Sequence, residues 1–133
     1  MSSKGFVHFF IHPSGNVIVS EWVGPATIED WEDGALIAFS DFGPLQDHHR
    51  LIDIRRYTSA LSQADFQLMR ERLSQNRIAP PSADIRVAIL HRKDHLVHSD
   101  DWLADTFAPR KVAYFDNEEA CLAWLLAQAP CLA

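Results

Sequence analysis

Alternation constrains this chain more than any other feature: short apolar runs rich in β-branched residues take turns with segments of helical spacing almost from end to end. The one exception is the start. Phe6 to His12 places Val7, Phe9 and Ile11 on one side and Phe6, His8, Phe10 and His12 on the other, and Pro13-Ser14-Gly15-Asn16 then leads into Val17 to Val23. That pattern predicts a β-hairpin. After Gly24-Pro25, Thr27 caps a helix with Glu29 and Asp30 in its first turn, and Ile28, Trp31, Ala35, Ala38, Phe39 and Phe42 form its apolar stripe. Gly34 inside that helix costs about 1 kcal/mol relative to alanine, which predicts a close approach by another backbone. Leu51-Ile52-Asp53-Ile54 reads as an interior strand, followed by a helix capped by Ser62, carrying Phe66, Met69 and Leu73, and closed by Pro80-Pro81. Ile85 to Leu90 is the next strand, Leu96 to Phe107 a helical stretch ending before Pro109, and Val112 to Phe115 the last strand. Asp116 and Glu119 mark the start of a final helix that buries Cys121, Trp124 and Leu125. The order predicts one α/β domain over residues 1–133: a mixed sheet of about five strands with about four helices, the later strands joined by right-handed crossovers.

A chain of 133 residues that is 47% hydrophobic can bury about two-thirds of its unfolded surface and needs no disulfide or structural metal to hold a core. Cys121 and Cys131 match neither a disulfide framework nor a paired zinc knuckle, which suits a reducing compartment. The opening run lacks the apolar core and cleavage site of a signal peptide, and no stretch approaches the roughly 20 apolar residues of a membrane span, so a cytoplasmic location is expected. Charge is divided into blocks. Thr27 to Asp47 holds six acids and no lysine or arginine, whereas Arg50 to Lys93 holds nine bases against four acids. A bipolar surface of this kind favours a charged protein partner or a two-fold homodimer, in which an acidic first helix meets a neighbour's basic block. Nucleic-acid binding is disfavoured by the net charge of −6 and the lack of a basic and aromatic stripe.

Several runs resemble a known family. Leu51-Ile52-Asp53-Ile54-Arg55, the helix at Ser62, Ile85-Arg86-Val87-Ala88-Ile89 and above all Tyr114-Phe115-Asp116-Asn117-Glu118-Glu119-Ala120-Cys121-Leu122-Ala123-Trp124-Leu125 are similar to the SpoIIAA-like, or STAS-like, small bacterial domains. The resemblance implies a mixed α/β sheet with helices mainly on one face. It also implies a regulatory role through a protein partner, with fold cousins that hold lipids in an apolar pocket. In the regulatory branch a serine at a helix start is phosphorylated, and by spacing that position is Ser62, although the flanking Asp-Ser-Ser-Gly-like loop is absent. A phosphate there would meet free backbone N–H groups, while the simpler role is an N-cap.

The remaining polar clusters are weighed on their chemistry. In parallel sheets, ligands and partners approach the carboxyl ends of the strands, where Arg55, Arg56, Arg92 and Lys93 gather with Ser62 and would suit an anionic group. His91, His95 and His98 have a spacing that could bring three ligands to a metal. His8 and His12 share a strand face with Phe6 and Phe10, and Asp53 sits in an otherwise apolar strand. No nucleophile elbow, phosphate loop or zinc-protease helix is present, so no catalytic residue and no cofactor is assigned, and Cys121 reads as a buried, inert thiol. The leading function is a non-catalytic binding or regulatory domain; the alternative is a carrier of a small apolar or amphipathic ligand, with Trp31, Phe39 and Phe42 lining its pocket.

Overall fold

The computed structural model describes residues 5–13, 16–42, 48–59, 63–76, 85–92 and 111–127, with only the backbone at 39, 42, 63, 66, 111 and 112. The strands are β1 (Phe6–Ile11), β2 (Val17–Gly24), β3 (His49–Tyr57), β4 (Arg86–Leu90) and β5 (Lys111–Phe115). The described helices are α1 (Ile28–Phe42), α2 (Gln63–Gln75) and α3 (Glu118–Leu126). The helical stretch expected over 96–107 lies outside the described residues.

The strands form one sheet in the order β1-β2-β3-β4-β5. β1 and β2 pair antiparallel as the hairpin pattern requires, Phe6 opposite Val23 and Ile11 opposite Ile18. The His12 amide donates to the Val17 carbonyl at 2.9 Å, and Asn16 takes the positive φ of 26° that asparagine tolerates in turns. All later pairings are parallel. The β2–β3 register slips between Glu21 and Val23, which face Asp53 and Arg56, so β3 carries one extra residue there. This bulge lets Tyr57 join the same apolar cluster as Ile54, where its ring meets Trp22 edge-on at 5.4 Å.

Strand alternation divides the core in two. On one face Val7, Trp22, Ile52, Ile54, Val87 and Ile89 pack against Trp31 and Ala35 of α1 and Met69 of α2. On the other, Val17, Val19, Leu51, Ala88 and Leu90 pack against Cys121 and Leu125 of α3. Two of the three described helices thus share one face, and α3 closes the opposite one. Cover on both sides is what β3, buried continuously from Leu51 to Ile54, requires.

α1 starts with a reciprocal cap: the Asp30 amide donates to Thr27 Oγ1 at 3.1 Å, and the Thr27 amide donates to Asp30 Oδ2 at 2.9 Å. α2 is tied to α1 by Arg72, whose Nη1 donates to Glu32 Oε1 at 2.6 Å with Nη2 3.6 Å from Glu29, while Asn76 donates to the other oxygen of Glu32. Part of the acidic and basic blocks is therefore neutralised within the chain.

Gly34 faces β1, as its cost predicted. A Cβ built there would stand 2.8 Å from the Phe9 ring and 3.2 Å from the Val7 carbonyl oxygen. Helix propensity alone would make Gly34→Ala stabilising by about 1 kcal/mol. We expect the reverse, a loss of about 1 kcal/mol from overpacking seen as a lower melting temperature, and a more stable variant would contradict the packing described.

Candidate functional site

Asp53 is 5% exposed, a carboxylate in a strand flanked on both sides by other strands. Its charge is held by Arg55 alone among the described residues: Nε donates to Oδ1 at 3.0 Å, Nη2 to Oδ2 at 2.8 Å, and the Arg55 amide to Oδ1 at 3.1 Å. The two-pronged geometry is the strong form of this bond. It raises the Arg55 pKa from its ordinary value, opposed by burial and aided by the charges of Asp53 and Glu118. Nη2 of Arg55 also donates to Glu118 Oε1 at 3.2 Å, in the first turn of α3.

Arg92 reaches back from the end of β4, its Nη1 donating to the carbonyls of Arg55 at 3.1 Å and Tyr57 at 3.2 Å. The His91 amide donates to the Phe115 carbonyl at 2.8 Å, linking the ends of β4 and β5. Arg55 and Arg92 are thus brought together, but as parts of the frame. Arg56 is exposed, and its side chain makes no polar contact with the described residues. Ser62 and Lys93 lie outside the described residues, and α2 begins at Gln63, directly after Ser62.

His95 and His98, the other two members of the His91, His95 and His98 trio, likewise lie outside the described residues. Nδ1 of His91 donates to the Arg92 carbonyl at 2.7 Å, and among the described residues no three His, Cys, Asp or Glu side chains are placed to hold a metal. His8 is exposed beside Phe10 at 5.2 Å between ring centroids, and Phe6 on the same strand face is 48% exposed. Cys121 is fully buried against the second face. Burial first, then the nearby charges of Glu118 and Asp53, push its thiol up to about 12 from an ordinary 9.0, partly offset by Arg55. It is no nucleophile in this state.

Two features escaped the sequence reading. Asn117, not Asp116, caps α3, its side-chain oxygen accepting from the Ala120 amide at 2.9 Å. Arg86 closes the other end of α3. Its Nη1 donates to the carbonyls of Trp124 at 2.8 Å and Ala127 at 2.7 Å, and its guanidinium lies 5.9 Å from the Trp124 ring centroid. A helix lacking basic residues in its last turn was the available signal. Away from the strand ends, a cavity of about 60 Å³ lies between α1, α2 and the first sheet face. Trp31 lines it; the side chains of Phe39 and Phe42 are outside the described set.

The fold is similar to that of an uncharacterised protein of the DUF3478 family from Shewanella loihica PV-4, whose crystal structure at 2.25 Å resolution is described as having a SpoIIAA-like fold. The TM-score is 0.59 at 21% identity, with 94% of this chain and 98% of that chain covered. The chain therefore has the SpoIIAA-like α/β fold. No family model and no curated protein matches the sequence. No helix among the described residues is long and apolar enough to cross a membrane.

Arg55 is anchored and the Arg56 side chain is not. Arg55→Ala strands the Asp53 carboxylate and should cost about 1–2 kcal/mol, less than a fully enclosed pair because Arg55 is 39% exposed, whereas Arg56→Ala should leave thermal unfolding unchanged. Equal melting temperatures for the two variants would refute this assignment.

Cys121 gives a second test, made on a Cys131→Ser background. Native protein at about pH 8 should leave a thiol reagent unreacted until denaturant is added. The unfolded thiol loses its proton above its ordinary 9.0 while the folded one keeps it to about 12, so the unfolded state binds fewer protons and stability falls as pH rises through that window. Tyr57, raised from 10.0 mainly by burial, adds a loss of the same sign.

Proposed function

We propose that this chain is a non-catalytic binding or regulatory domain that works through a protein partner met at the carboxyl ends of β3, β4 and β5. One observation carries the reading: the exposed Arg56 stands on a backbone held at both neighbours, by the Arg55 bonds to Asp53 and Glu118 and by Arg92 on the Arg55 and Tyr57 carbonyls. A backbone fixed before contact loses less freedom on binding than a mobile loop would. The patch is mixed, since Asp116, Glu118 and Glu119 are exposed beside the arginines. Alternating signs suit a complementary protein surface better than a lone phosphate, which needs several unspent donors converging on one point.

The alternative, a carrier of a small apolar or amphipathic ligand, is limited to ligands of a few heavy atoms. An engineered cavity of about 150 Å³ is what benzene occupies, and the cavity beside Trp31 is about 60 Å³. Two-fold self-association is also proposed, through β1. Among the described residues that strand pairs only with β2, and Phe6 and His8 are exposed along it.

The test uses tagged protein and an Arg56→Glu variant expressed in the source cells, with bound proteins quantified. A partner retained by the parent and depleted at least tenfold by Arg56→Glu, at unchanged melting temperature, is the expected result. Retention by both, or by neither, rejects the strand-end surface. Light scattering on the same parent protein should give twice 15.1 kDa, and a monomer mass rejects pairing through β1.

A further inference from the structure

The cavity between α1, α2 and the first sheet face lies where that face's core is interrupted. The main cluster on this face contains Trp31, Ala35, Ile52, Met69 and Val87, and a satellite of Ile18 and Ala38 stands apart from it, with Phe9 packed against both. The gap between them is the cavity, which Ile18, Phe9 and members of the main cluster line. Three polar groups in its wall argue for an occupant.

Ser20 is 6% exposed, and its Oγ accepts from Trp22 Nε1 at 3.3 Å. A hydroxyl also carries a hydrogen to donate, and among the described residues that hydrogen has no acceptor. An acceptor entering the cavity can take that hydrogen. Arg50, at the start of β3, and Arg70, on α2, line the same space. Arg70 is exposed and makes no hydrogen bond or ion pair with the described residues. A hydroxyl donor and two guanidinium groups in a wall otherwise made of Ile18, Trp31, Ile52 and Val87 describe a ligand with a negative acceptor head and an aliphatic tail.

We infer that this cavity binds a small aliphatic monocarboxylate, its carboxylate meeting Ser20 and the two arginines and its tail filling the apolar gap. The size follows from the volume. A single water needs about 10–15 Å³ of such space and benzene sits in about 150 Å³, so a cavity of about 60 Å³ takes a few heavy atoms. Acetate and propionate fit this range. The site is distinct from the strand-end surface, and neither depends on the other.

The probes are sodium propionate and 1-propanol, titrated into isotopically labelled protein while the methyl signals of Ile18, Ala35 and Met69 are followed by NMR. Propionate should shift these signals saturably in the millimolar range, with 1-propanol at least tenfold weaker. Ser20→Ala should weaken propionate about tenfold with little effect on 1-propanol. Because Ser20→Ala also removes the acceptor for Trp22, Arg70→Gln serves as the second variant: its side chain is exposed, so the fold is kept, and propionate should again weaken severalfold. Three results would overturn the inference: no saturable shift, equal affinity for propionate and 1-propanol, or propionate binding indifferent to Arg70→Gln.

Discussion

The structure hangs on one buried charge. Asp53 lies in the central strand with β2 on one side and β4 on the other, where an unmatched carboxylate would cost several kcal/mol. Arg55 answers this directly. Alternation already puts the Arg55 guanidinium on the same face as Asp53, and in the stretch of the bulge the Arg55 amide bonds to that carboxylate as well. Arg55 then extends to Glu118, which fixes where α3 begins relative to the sheet, and Arg92 fastens the strand end that follows. A cost incurred in the core thus sets the geometry of the surface above it.

The two faces are closed by different means. On the first, α1 comes close to β1 because Gly34 has no side chain, and α2 is then joined to α1 through Glu32. On the second, α3 is short and apolar, and its ends are held by side chains: Asn117 at the start and Arg86, from β4, at the end. Arg86 satisfies carbonyls that the helix leaves open and lies near Trp124, so a residue that counts as basic surface in the sequence serves the core.

Much of the fold was legible because each signal was local. The hairpin pattern, the Thr27 cap followed by Asp30, and Gly34 in mid-helix all refer to neighbours within a few residues or to a steric need that only glycine meets. The candidate site was legible only in part. Arg55 and Arg56 lie near the end of β3 and Arg92 just beyond β4, but the turn of Tyr57 into the core after them follows from a one-residue slip that leaves no periodic trace, its only sign being the Arg55-Arg56 doublet where alternation should continue. Likewise, the reach of Arg86 spans 38 positions to Trp124, and no spacing rule encodes it.

The strand order has a consequence for how such a chain reaches its native state. Because β1 to β5 lie side by side in the order of synthesis, every new strand adds to the one made before it, and no strand must be inserted between two already paired. Loop-closure cost is then met in small instalments, first a tight hairpin and afterwards one crossover at a time. The sheet can therefore grow behind the ribosome from β1 outward. The step that must wait is the one that joins Glu118 to Arg55, so the second face and the strand-end surface mature together, after β5 has emerged.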